Sequence, residues 1–222
     1  MLEVRSSYFE PRKRSEHNVF CLKEMIFIGA REAKQIDILQ ASIRVFSKHG
    51  FDGAKMEYIA KEAGIGKGTV YEYFESKEHL FEEILKFSVR EFHLGLKACM
   101  DQGETIEERL LNYSRYNVEF LNNHMDIFQI AMQVNILSQE IRMQLIAERE
   151  VICEQIIDLV KAAKAKGECR ADLDEELATF CIMGTLDEFS KKRVFCNRSP
   201  LEEIDHQAIV VMVLKGLRGL LS

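Results

Sequence analysis

The residues with the most chemistry lie in one short stretch, GIGKGTVYEYFESK, from Gly64 to Lys77. Three glycines alternate with other residues around Lys67, and Tyr71, Tyr73, Phe74 and Lys77 follow. Close backbone approach, hydroxyls and positive charge together suit phosphate. The stretch is not a nucleotide loop. The dinucleotide fingerprint needs glycine where Thr69 stands, the Walker pattern needs Ser or Thr where Gly68 stands, and no strand pattern precedes either. Read as a short helix, it puts Val70 and Phe74 in the core and leaves Lys67, Thr69, Tyr71, Tyr73 and Lys77 on the other side, a face that suits DNA. The helix start offers unpaired backbone amides, Gly68 lets the backbone come close, and Lys77 at the next helix's N-terminus makes electrostatic sense beside an anion.

The elements that must hold this face can be read on either side of it. Ile36, Leu39, Ile43 and Phe46 recur at spacings of three and four, predicting a helix that stops at Gly50. MEYIAKEAG predicts a second, shorter helix with Met56, Ile59, Ala60 and Ala63 on one side and Gly64 closing it. A third runs from about Lys67 to Phe74, and Ser76 is placed to cap a fourth. Three helices in about 45 residues form a helix-turn-helix unit. Longer helices are expected over 77–100, 105–122, 125–137, 140–166, 172–195 and 201–221, with breaks at DQGET, NNH, KAKGECRAD and CNRSP.

The 48 residues from Ile38 to Leu85 resemble the N-terminal domain of the tetracycline-repressor (TetR) family. They share a first helix ending in F-x-x-x-G-[FY], an IA-x-x-AG second helix, KGT-[VL]-Y-x-YF and SKE-x-L. The resemblance implies that Lys67, Gly68, Thr69, Tyr71 and Tyr73 lie at the operator, with Lys77 on phosphate. One position departs from the pattern: Lys55 stands where members usually have the threonine that caps the second helix and touches phosphate. Lys55 can bind phosphate but cannot cap, so Asp52 or Gly53 is expected to take that role. The resemblance further implies a homodimer whose C-terminal helices hold a small-molecule effector.

Composition agrees with an all-α chain: proline occurs only at Pro11 and Pro200 among 222 residues, and tryptophan not at all. The net charge of −6 hides an asymmetry. Residues 1–90 carry 15 basic and 14 acidic side chains, residues 91–222 carry 15 and 22, so a DNA-binding face fits the first part and not the second. Six cysteines without a C-x-x-C pair or metal-ligand spacing predict reduced thiols, a cytoplasmic protein and no cofactor. The longest apolar run near the C-terminus, Ile209 to Leu214, is too short to span a bilayer, and Lys23 and Glu24 interrupt the segment that imitates a signal sequence. Residues 1–30 read as an extension, with Met25 an alternative start and Arg12, Lys13 and Arg14 a solvated tail or additional phosphate contacts.

The expected organisation is therefore an extension over 1–30, a helix-turn-helix domain over 31–76 and a helical effector-binding and dimerisation domain over 77–222. Because residues 209–214 are apolar all round the helix, and Gly184 and Gly216 permit close approach, the last two helices are the expected dimer interface. Phe87, Phe92, Tyr116, Phe120, Phe128, Met132, Met143, Phe180 and Met183 are candidates to line the effector cavity, with His93, His124 and Glu188 as polar candidates. The expected function is a repressor that binds a pseudo-palindromic operator as a dimer and is released by an apolar or amphipathic molecule. The alternatives are an activator or ligand-independent regulator and, from another class, a helical carrier or enzyme. No nucleophile–base pair, acidic dyad or metal set stands out for the last.

Overall fold

The computed structural model describes residues 29–133, 138–197 and 200–218. The basic residues at 12–14, Met25 and the Met132 side chain lie outside this description. The described residues form nine α-helices and no strands: α1 (Ala30–Gly53), α2 (Met56–Glu62), α3 (Lys67–Tyr73), α4 (Lys77–Asp101), α5 (Ile106–Asn123), α6 (Met125–Gln133), α7 (Gln139–Ala165), α8 (Glu175–Lys191) and α9 (His206–Arg218). A π-helical turn, Lys192–Asn197, follows α8.

Short polar side chains start several of these helices. Ser76 accepts from the His79 amide, Ser138 from that of Ile141 and Asp174 from that of Leu177, while Thr105 and Glu108 form a reciprocal capping box. Gly64, at φ 66°, follows the end of α2, and Gly50, at φ 68° and ψ −179°, kinks α1 one turn before its end; positive φ costs glycine little at either place.

Two sequence expectations are corrected here. Neither Asp52 nor Gly53 caps α2: Lys55 itself occupies the N-cap position, without a side-chain cap, and its carbonyl accepts from the Tyr58 and Ile59 amides. The segment from residue 201 is not one helix. A 3₁₀ turn, Leu201–Glu203, comes first, and the Asp205 carboxylate then accepts from the Ala208 amide and starts α9.

The apolar faces build two main cores. The first gathers Ile38, Phe46, Ile59 and Val70 from α1–α3, Phe74 just after α3, Leu80, Phe81 and Ile84 from the first turns of α4, and Ile127 and Ile130 from α6. Phe46, Phe51 and Phe81 meet there at ring separations of 5.3 to 5.8 Å. The second gathers α4, α5, α7, α8 and α9 around Leu110, Tyr113, Ile156, Ile182 and Leu186. Inside it, Tyr113 Oη and Asn117 Nδ2 both donate to Asp187 Oδ1, at 2.8 and 2.9 Å, tying α5 to α8. Burial nonetheless raises the Asp187 carboxyl above its ordinary pKa.

Candidate nucleic-acid interface

The helix-turn-helix places α3 with Val70 and Phe74 fully buried beneath it and Lys67, Gly68 and Tyr71 exposed on its outer side. Thr69 and Tyr73 are half-buried, and the Arg31 guanidinium lies 5.8 Å from the centre of the Tyr73 ring. Lys55 is exposed at the head of α2, its ammonium 5.7 Å from the centre of the exposed Tyr58 ring, which in turn meets His49. A Cβ added to Gly68 would meet no atom within 4 Å. The fold therefore supplies no packing reason for glycine inside this helix, where it costs about 1 kcal/mol relative to alanine.

Two of the expected contacts have partners inside the chain. Lys67 Nζ donates to Glu57 Oε1 at 2.6 Å, joining the first residue of α3 to the first turn of α2. This hydrogen bond, and then the charge behind it, lowers the Glu57 carboxyl pKa and raises that of the Lys67 ammonium. Lys77 Nζ donates to the Phe51 carbonyl at 2.8 Å, which accounts for a lysine at this helix start without an anion. Sequence reading missed Tyr58 and the Glu57 partnership. The first was legible as an aromatic on the polar side of MEYIAKEAG; the second needs the angle between α2 and α3.

Of the effector candidates, the structure brings together Phe92 on α4, Tyr116 and Phe120 on α5 and Phe128 on α6. Phe92 lies 5.8 Å from Tyr116 and 5.0 Å from Phe120, and Phe128 lies 6.4 Å from Phe120. His124 stacks on Phe120 at 4.0 Å. Met183 is buried in the same core, where the Cys153 thiol meets its sulfur at 3.6 Å. Phe87 packs against the other core. Met143 and Phe180 are 58% and 56% exposed, because they occupy outer faces of α7 and α8, so neither lines the interior of this chain.

Among the polar candidates, Glu188 is an exposed partner of Lys191. His93 is buried, with Nδ1 2.9 Å from Glu148 Oε2 and no partner for Nε2. Burial lowers its pKa, against the opposing charge of Glu148. Ser88, one turn before Phe92, is 1% exposed and its hydroxyl has no partner either. The sequence signal for Ser88 was a small polar residue within the apolar stripe of Phe81, Leu85, Phe92 and Leu96.

No helix among the described residues is long and apolar enough to cross a membrane.

Comparison with known proteins adds two family matches. Residues 38–84 match the model of bacterial regulatory proteins of the tetR family, and residues 103–191 match that of the tetracyclin repressor-like C-terminal domain. The fatty acid metabolism regulator protein of Bacillus subtilis is 26% identical over 166 residues, covering 71% of this chain and 82% of that protein. The fatty acid degradation regulator FadR of Bacillus halodurans superposes with a TM-score of 0.63 at 26% identity, over 88% of this chain and 98% of that one. FadR of Bacillus subtilis, solved in complex with stearoyl-CoA, gives a TM-score of 0.60 at 23% identity, over 82% and 97%.

Proposed function

The chain belongs to the TetR family of bacterial regulatory proteins, and from that premise we propose that it is a repressor whose hold on its operator is broken by a fatty-acyl effector. The observation that carries this reading is the position of α6. Ile127 and Ile130 insert its one face into the core beneath the reading head, while Phe128 turns the other toward Phe120 in the aromatic cluster. A molecule that separates or rotates those rings must displace α6, and with it the support of α1 to α3. Effector and operator binding are then coupled, each weakening the other by the same factor.

DNA is met by the outer side of α3, through Lys67, Gly68, Thr69, Tyr71 and Tyr73, with Lys55 on an adjacent phosphate. The exposure of Lys67 and Tyr71 and the empty space over Gly68 support this. Lys77 serves mainly to hold the end of α1.

Two copies meet through α8 and α9. On those helices Leu177 and Met212 are 64% and 67% exposed, Phe180 and Cys181 are exposed beside them, and Gly184 and Gly216 leave open space for a close neighbour. Such a surface is more apolar than one chain leaves to water without use. Pairing through it makes the operator a pseudo-palindrome.

The effector lies among the rings of α4, α5 and α6. Apolar rings take its chain, and the unpartnered Ser88 hydroxyl and His93 Nε2 take its polar end. Relatives named for fatty-acid control support the chemical class. The test is selection of bound duplexes from a random pool by the purified protein, followed by addition of fatty acids and acyl-CoA thioesters of graded length. The expected result is an enriched pseudo-palindrome released by one length range. No enrichment at low salt from a folded dimer sinks the proposal.

A further inference from the structure

Resting on that reading of the reading head, we propose that Glu57 is a specificity-determining residue, which accepts a hydrogen bond from the exocyclic N4 amine of a cytosine in the major groove. The Glu57–Lys67 pair is exposed on both sides, 62% and 51% for the two side chains, so it does not hold a core together. An ion pair so open to water contributes little to stability. What it does is position a carboxylate. Lys67 is the first residue of α3, and the N-terminal residues of the second helix of a helix-turn-helix are the ones that reach base edges. Glu57, anchored 2.6 Å from the Lys67 ammonium, is brought from α2 to that end of α3.

A carboxylate is a poor neighbour for phosphate unless its charge is offset. Here Lys67 offsets it through the hydrogen bond, and Lys55 adds a weaker attraction through space. The anion is thereby kept ionised and tolerated close to the duplex. Oε1 is occupied by Lys67, and Oε2 has no protein partner among the described residues. An ionised carboxylate only accepts. The groups that can donate to it in the major groove are the exocyclic amines, N4 of cytosine and N6 of adenine, and adenine places the acceptor N7 beside its amine, where it repels a second acceptor. Cytosine has no such acceptor, and is the base this geometry favours.

The experiment compares the duplexes selected at one salt concentration by the wild type, Glu57→Gln and Glu57→Ala, with thermal melting to show that all three are folded. The wild type is expected to enrich one cytosine per half-site. Glu57→Gln, able to donate as well as accept, moves that position toward adenine, and Glu57→Ala loses the preference there while the other positions stand. Affinity of either variant for the wild-type operator falls roughly tenfold. If both variants enrich the wild-type sequence and bind every duplex more tightly, Glu57 only repels DNA and the inference is overturned. If the wild type itself enriches nothing, the reading of the protein as an operator-binding regulator falls, and this one with it.

Discussion

Lys77 Nζ lies 2.8 Å from the Phe51 carbonyl oxygen and 4.5 Å from the centre of the Phe51 ring, so one ammonium closes the end of α1 and covers an aromatic side chain of the core beneath it. A charged hydrogen bond and a cation–π contact in one partly buried place predict that Lys77→Met destabilises the protein by about 1–2 kcal/mol. For a chain of this size that is a melting temperature lower by about 2–8 °C. An unchanged melting temperature with weakened DNA binding would return Lys77 to the phosphate role.

Gly68 and Gly95 make a contrasting pair. A Cβ on Gly95 would lie 2.0 Å from the Tyr116 hydroxyl oxygen and 2.5 Å from Cζ, so Gly95→Ala must push the ring away from α4 and break its bond to the Glu91 carbonyl. Such overpacking costs about 1–3 kcal/mol. Gly68→Ala meets nothing and is expected to raise stability by up to about 1 kcal/mol while weakening operator affinity by roughly tenfold. Melting curves and a gel-shift titration on both variants check the pair.

Phe180→Glu puts a charge in the middle of the apolar outer face of α8. Light scattering on the eluting peak is expected to read the 25.7 kDa protomer for this variant and twice that for the wild type. Operator binding should weaken steeply, because two reading heads are no longer joined. A variant that stays dimeric would place the interface elsewhere.

His93 sets a pH dependence with a definite sign. Burial lowers its pKa in the folded protein, so the unfolded chain holds more protons near the ordinary imidazole value of about 6.5. Stability is full above that value and is lost as pH falls through the folded pKa. Denaturant melts at pH 7.5 and 5.5 should show a smaller acid loss in His93→Gln than in the wild type. Equal losses would assign the sensitivity to other groups, His206 among them, whose pKa burial also lowers.

The reading head was legible because its signals are local: periodic apolar residues, glycines at positive φ, a serine cap and a contiguous motif all fall within residues 36–76. The same locality hid the partners of Lys67 and Lys77, which lie 10 and 26 residues away and are set by how helices cross. In the C-terminal part, periodicity located the helices but not their roles. Phe180 and Met183 are three residues apart on α8, yet one faces outward and the other is buried, and composition treats them alike. Asp205 delayed the start of the helix expected from 201, because its carboxylate captures the amide three residues on and so begins α9 only after a separate 3₁₀ turn. The Asp187 network left no trace, since a tyrosine and an asparagine one turn apart on α5 have many uses.

The core under the reading head is completed by Ile127 and Ile130, about fifty residues after the helix-turn-helix ends. This bears on modular exchange among relatives. A chimera that joins one protein's first 76 residues to another's remaining chain imports a foreign α6 into its own foundation, and the side chains at 127 and 130 must fit a surface they did not evolve with. Grafts that carry positions 127 and 130 along with the head should keep both folding and response. Those cut at the sequence boundary should read DNA poorly, or read it without listening to the effector.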